Sequence, residues 1–463
     1  MDHQPPAGAS GSASRCPMHG ADFAADPHLV YDQLRAQGPA APVELAPGVN
    51  ATLVTGYETA LRVLQSPQLF VRDSRRWKDL NEGRISLDSP VLPMMAYRPN
   101  CLFTDGAVHL RLRKAVTESL DRLNITRIRR DVEPIAAYLI DQFSERGRAD
   151  LLHDYAKLLP LLLFNKLFGC PAGIGDRLTG AMAALFEAQD PNEALRANEE
   201  LNASLMELIA LKRREPGDDM TSWLIQHGAG LTDEELKDQL VMLMGAGIEP
   251  ERNLISNTLL TLLTEASSGR GTGMLIEEAL DHVLWNDPPI ANYATHFPVQ
   301  DVDLGGTVVE AGSPVVISFA GANTDPALKE ARQARSAGAH LAWGAGPHAC
   351  PAKSPAQVIA VAAVEAILNA LPDLQLAVPA GRLEWRPGHF HRALVALPVR
   401  FSPTPATRVA AALGNGGGTA SRPAPAEQPL RAPAAPAAPR PAEPQRTARK
   451  GGFWSTFLDL FRV

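Results

Sequence analysis

The residues of this chain best placed to do chemistry gather around one cysteine. Ala342-Trp343-Gly344-Ala345-Gly346-Pro347-His348-Ala349-Cys350 sets two glycines and a histidine just ahead of a single thiol, and apolar residues at helical spacing follow from Ala356 to Leu371. Glycines let backbone come close to a flat ligand. A thiol near a helix N-terminus faces unpaired N–H groups and the positive end of the helix dipole, so it can ionise and bind a metal. Cys16, Cys101 and Cys170 lie far apart, with neither disulfide-type nor zinc-type spacing. Cys16-Pro17-Met18-His19 offers two donors, too few for a metal site.

A second reactive group lies in the longest helical pattern, Leu231 to Ser267, which opens with the capping box Thr232-Asp233-Glu234-Glu235. Its middle reads Gly245-Ala246-Gly247-Ile248-Glu249-Pro250-Glu251, two acids flanking a proline that has no N–H to donate and kinks a helix. Upstream, His109 and Arg113 are one helical turn apart and share a face.

The chain that must position these groups has 463 residues, 45% of them hydrophobic, and a formal charge of −7 from interspersed charges of both signs. It can bury a large core and has no basic footprint for nucleic acid. Residues 1–21 read as a flexible N-terminus without the charged start and apolar stretch of a secretory signal, and no apolar run is long enough to span a bilayer, so a cytoplasmic chain is expected.

Helical periodicity covers 26–38, 107–120, 132–145, 151–168, 175–188 and 193–213, while Val43 to Thr55 reads as a hairpin turning at Pro47-Gly48. Strand-like pieces follow at 308–309, 315–319, 374–378 and 394–401. The expectation is a mainly α fold with small β-sheets over residues 22–402. Residues 403–450 turn to Pro, Ala, Gly and Arg and read as a disordered linker. In residues 451–463, Phe453, Trp454, Phe457 and Phe461 would share one helix face after Arg446, Arg449 and Lys450, a pattern suited to a groove on a protein partner or to an anionic membrane surface.

The cysteine segment resembles the haem-binding loop of the cytochrome P-450 superfamily, Phe-Gly-x-Gly-x-His/Arg-x-Cys-x-Gly, with Trp343 for the Phe and Ala352 for the last Gly. The resemblance implies a haem-thiolate monooxygenase fold and haem b as cofactor, with Cys350 as axial ligand of the iron and Trp343, Gly344 and His348 in the cofactor-binding loop. A thiolate on the iron pushes electron density toward the opposite axial site and favours O–O cleavage. Phe103-Thr104-Asp105 through Arg113 resembles the helix whose His and Arg contact the haem propionates, a role the resemblance gives to His109 and Arg113.

Asp301 through Pro326 resembles the family's strand, turn and Ala-Asn-Arg-Asp-Pro region, with Thr324 for that Arg, and places His296 where a propionate-binding Arg is usual. A histidine there implies a weaker, pH-dependent ion pair. The 245–251 segment resembles the Ala-Gly-x-Asp/Glu-Thr motif that passes over the haem, so Ala246 and Gly247 are expected against the cofactor. Glu249 keeps the acid, Pro250 replaces the proton-delivering Thr, and Glu249, Glu251 or ordered water must then supply protons.

The family's Glu-x-x-Arg pair is absent, since its positions hold His282 and Trp285, and an alternative register from Glu278 puts Asp281 at the Arg position. A buried ion pair can give way to apolar packing with little loss of stability. The resemblance implies a lipophilic small-molecule substrate and a ferredoxin-type redox partner. The second reading is a weakly active or inactive haem-binding regulatory or sensor protein, recruited to a complex by its C-terminal tail.

Overall fold

The computed structural model describes residues 15–187, 191–267, 273–328 and 338–406. Nearly all of the expected linker and the whole amphipathic tail lie outside these residues, as do residues 1–14. The described chain is mainly helical. One six-stranded sheet runs Cys16–Pro17, Ala40–Ala46, Val49–Val54, Val315–Ser318, Asn292–Pro298, Phe70–Val71, with a three-stranded and a two-stranded sheet apart from it.

The expected hairpin is Ala40–Ala46 against Val49–Val54, and Gly48 at φ +77° makes its turn possible, with its N–H held by the Glu44 carboxylate at 2.9 Å. The N-terminus is ordered further back than the expected boundary at residue 21. Cys16 and Pro17 pair in parallel with Val43 and Glu44, and Met18 is fully buried, because the hairpin's outer edge offers free hydrogen bonds and an apolar seat. Phe319, read as the end of a strand, starts the short helix Phe319–Asn323 instead, capped by the Ser318 hydroxyl.

Three apolar cores organise the helices. The first joins Ile125–Asp141, Leu158–Leu167, Ile276–Asn286 and Lys353–Ala370, the second lies against the sheet, and the third holds Gly106–Leu120, Ala172–Glu187 and Pro191–Arg214. The long helix Asp233–Ser267 serves two of them: Leu236, Leu240, Met244 and Ile248 belong to the third core, whereas Leu254, Ile255, Leu259 and Leu263 belong to the first. Its start is the predicted capping box, with reciprocal bonds of 3.0 and 3.2 Å between Thr232 and Glu235. The change of partner falls at Glu249-Pro250-Glu251.

Candidate functional site: a cysteine loop, a basic cluster and a helix roof

The cysteine loop is folded by its own backbone. Cys350 N–H donates to the Trp343 carbonyl and Gly344 N–H to that of Leu341, each at 2.7 Å, with Gly344 and Gly346 both at φ +68°. A Cβ on Gly346 would overlap the Leu64 carbonyl, so this position demands glycine both for conformation and for space. Burial pushes the Cys350 thiol up, opposed by the Ala352 N–H and the Arg113 charge, while Glu251 raises it further. The helix that follows is therefore not enough to ionise this thiol, contrary to the simple dipole expectation; a bound metal ion would deprotonate it outright.

Beside the loop lies a cluster assembled from four parts of the chain. Arg113 donates to the Ala349 carbonyl, and His109, one turn earlier, stacks on His348 with ring centroids 4.1 Å apart. Burial, with the nearby His348 and Arg113, brings the His109 pKa down to about 4, and burial also lowers His348. Asp105 accepts backbone N–H bonds from Arg72 and Asp73 at 2.9 to 3.0 Å and lies 3.8 Å from His348. Burial works against its charge, but His348 and those N–H groups hold it below the usual carboxylate range.

His296 arrives through a break in strand register between Tyr293 and His296, where Ala294 takes φ +51°, a left-handed conformation a non-glycine residue rarely adopts. His296 is bonded to the Ala294 carbonyl, and burial, with Arg72 and His348 near, holds its pKa well below the ordinary value. The expected weak, pH-dependent cation at this position is thus a neutral imidazole. The positive charge comes from Arg72, which the sequence did not flag: it is buried, its Nε bonds the Leu102 carbonyl at 3.3 Å, its guanidinium lies 5.5 Å from the Tyr293 ring, and its Nη1 has no partner.

The long helix forms the third wall. Ala246 is exposed although it sits mid-helix, and Met242 and Pro250, one turn to either side, are partly open, so one face of the helix looks into space. Pro250 leaves the Ala246 carbonyl without its helical donor. Gly247 does not share that face: a Cβ there would overlap the Phe164 ring, so this glycine permits close helix packing and not the approach of a ligand.

The two acids differ sharply. Glu249 is buried and its Oε1 accepts from Arg252 at 2.5 Å and from Arg386. Burial would raise its pKa, but Arg386 and Arg252 outweigh that and keep it ionised. Glu251 is buried with no counter-charge, so its pKa stands well above the ordinary value, and its Oε1 has no partner.

The missing Glu-x-x-Arg pair is replaced by uncharged contacts. The Trp285 ring packs edge-on to His340 at 5.6 Å, and the Asn323 side chain donates to the Leu284 carbonyl at 3.0 Å while accepting the Leu341 N–H at 2.6 Å. Asn323 thereby ties Ile276–Asn286 to the segment that enters the cysteine loop.

No protein-family model matches the chain. Over 397 residues it is 34% identical to the cytochrome P450 monooxygenase PikC of Streptomyces venezuelae, which takes in 82% of this chain and 92% of that protein. The chain belongs to the cytochrome P450 family. Cytochrome P450 107B1 of Saccharopolyspora erythraea is 30% identical over 390 residues, covering 82% of this chain and 96% of its own length. The solved structure of CYP154C4 from Streptomyces sp. W2061 superposes with a TM-score of 0.74 at 28% identity, over 83% of this chain and 97% of its own.

This P450 is accordingly an oxidoreductase of the monooxygenase type with a haem cofactor. Its own residues fit that group. The buried, unpartnered Nη1 of Arg72, Nε2 of His109 and Nδ1 of His348 sit with Arg113 around one place, a donor set suited to two carboxylates such as the haem propionates, and Cys350 offers the sulfur. Among the described residues no helix is long and apolar enough to cross a membrane, and no cluster of three or more His, Cys, Asp or Glu could hold a separate metal ion.

Proposed function

We propose that this P450 inserts one oxygen atom from O2 into a lipophilic small molecule, with electrons from a ferredoxin-type redox partner, and that Cys350 would bind its haem iron through sulfur. The observation that carries the reading is the Cys350 loop closed by its own hydrogen bonds beside a cluster of unpartnered cationic and imidazole donors. When bound, haem supplies the iron centre at which O2 is activated. Arg72 and Arg113 hold the propionates; His109, His348 and His296, all neutral, orient them by hydrogen bonding and not by charge. Trp343 and Gly344 shape the cysteine loop that would hold the cofactor, and Ala246, exposed on the long helix, would contact it.

In place of the missing hydroxyl at Pro250, Glu251 would be the proton donor, because burial without a counter-charge favours its protonated form whereas Arg386 and Arg252 keep Glu249 ionised. Glu249 anchors Arg252 and Arg386. Two similar proteins support a lipophilic substrate: a vitamin D(3) 25-hydroxylase of Pseudonocardia autotrophica is 28% identical, and CYP267B1, solved in complex with myristic acid, is 26% identical with a TM-score of 0.72. No observation favours the regulatory reading.

The deciding experiment is the absorption spectrum of the reduced protein with carbon monoxide, beside Cys350→Ala. A thiolate-shifted Soret band in the wild type and its loss in the variant is the expected result. The same band in both would remove Cys350 from the iron.

A further inference from the structure

A cleft of about 410 Å³ opens between the strand end at Leu45 and Ala46, the segment at Pro90 and Val91, and the loop from Arg386 to His391. Its size falls within the range of roughly 300–1,000 Å³ usual for small-molecule sites. Its walls are mostly apolar, with Leu45, Val91 and Phe390 prominent, while its polar lining consists of Arg386 and three imidazoles, without a carboxylate. It abuts the site already described on two sides: Arg386 pairs with Glu249 of the helix roof, and the Phe390 ring packs edge-on to Tyr293 at 5.7 Å, the tyrosine under Arg72.

Two groups on the wall have unused hydrogen-bonding capacity. The Arg386 backbone N–H is fixed to the Ala393 carbonyl at 2.8 Å and one guanidinium nitrogen is taken by Glu249, but Nε and Nη1 have no partner among the described residues, and the side chain is one-third exposed. A guanidinium held at one corner keeps its remaining N–H groups in fixed directions, and Nε–H and Nη1–H, on different edges, can each give a separate charge-assisted hydrogen bond to an anionic oxygen. His389 is buried and its Nε2 has no partner. Burial takes the His389 pKa down to about 3, so at neutral pH the ring is uncharged and takes or gives one hydrogen bond at that nitrogen without adding charge. His391 is likewise brought down to about 4 by burial, and His19 is engaged with Glu44 at 3.3 Å, so Arg386 is the one strong cation of the lining.

We infer that this cleft is a carboxylate-recognition subsite, in which Arg386 and His389 hold the acid end of an otherwise apolar substrate whose body lies against Leu45, Val91 and Phe390. The charge count selects a monoanion. A dianionic phosphate would meet one guanidinium already shared with the Glu249 carboxylate, whereas a carboxylate brings it only one further negative charge. The inference rests on the monooxygenase reading only in treating the occupant as substrate.

The test is calorimetric binding to the haem-loaded full chain of 6-phenylhexanoate against its primary amide, which has the same shape and no charge. The acid should bind roughly 10- to 100-fold more tightly, the difference a charge-assisted hydrogen bond provides, and this preference should shrink as salt rises. Arg386→Gln should bring the two affinities within twofold of each other while still binding the amide; Arg386→Lys should recover part of the preference, and His389→Leu should weaken the acid without abolishing its advantage. Equal affinities in the wild type, no binding of the acid, or an undiminished preference in Arg386→Gln would overturn the assignment. If Arg386→Gln does not fold, the wild-type preference and its salt dependence decide alone. Binding is measured without turnover, so acid selectivity without a thiolate Soret band would defeat the functional reading and leave the subsite standing, and the converse pair of results would do the opposite.

Discussion

Replacing Arg72 with methionine tests whether the cation lost at position 296 has been supplied from elsewhere in the chain. At neutral pH, burial keeps His109 and His296 uncharged and lowers His348, so two guanidiniums, Arg72 and Arg113, carry the charge of the cluster. A hydrogen bond to a charged group contributes about 1.5–3 kcal/mol, so the variant should release haem about 10- to 100-fold faster. The haem-free protein should lose little stability, because Arg72 is buried without a neutralising partner at Nη1 and methionine removes that desolvation cost. The Asp105 bonds to the backbone at 72 and 73 do not depend on the side chain and stay in place. Transfer of haem to an excess of a haem-free acceptor protein, followed in the Soret region at pH 7.5, gives the rate; Arg72→Lys should lie between wild type and Met. Rates for wild type and Met within twofold of each other would refute the role given to Arg72.

The charge states assigned to the two acids of the long helix predict opposite responses to the same change. Glu249→Gln strands Arg386 and Arg252 without their carboxylate and should cost about 3–5 kcal/mol in urea unfolding, whereas Glu251→Gln exchanges one neutral side chain for another and should stay within about 1 kcal/mol; equal losses would show that the assignment is wrong. Acid should weaken the fold early. Burial holds His340 and His391 near 4 and His389 near 3, whereas in the unfolded chain each takes a proton at about 6.5. Between those values the unfolded state binds more protons, so stability is full above about pH 6.5 and falls on acidification toward pH 4 by up to about 1.4 kcal/mol per pH unit for each histidine. Urea midpoints at pH 7.5, 6.5, 5.5 and 4.5 should decline in that order, and a flat or rising series would contradict it.

What could be read from the sequence was what is local along it. The cysteine loop, the hairpin at Gly48, the capping box at Thr232 and the shared face of His109 and Arg113 each depend on neighbours within a few residues, and the structure has them as expected. The residues that escaped notice act through distant partners: Arg72 meets Asp105 from 33 positions away, Asn323 clamps Leu284 from 39 positions and Leu341 from 18, and Arg386 reaches Glu249 across 137. Gly247 shows a subtler gap. A glycine in a helix announces a close approach, but only the packed structure reveals that the visitor is the Phe164 ring. His296 shows another, since its neutrality follows from burial beside Arg72, which periodicity cannot foresee. At the N-terminus, composition suggested slack chain where strand pairing begins at Cys16.

The division of the long helix between two cores has a mechanical consequence. Its first half packs with Ala172–Glu187 and Pro191–Arg214, its second half with Lys353–Ala370 directly after the cysteine, and the joint at Pro250 lacks one rung of the helical ladder. A bend at Pro250 would therefore displace the first half of the helix with its own core and leave the packing of the second half against Lys353–Ala370 in place.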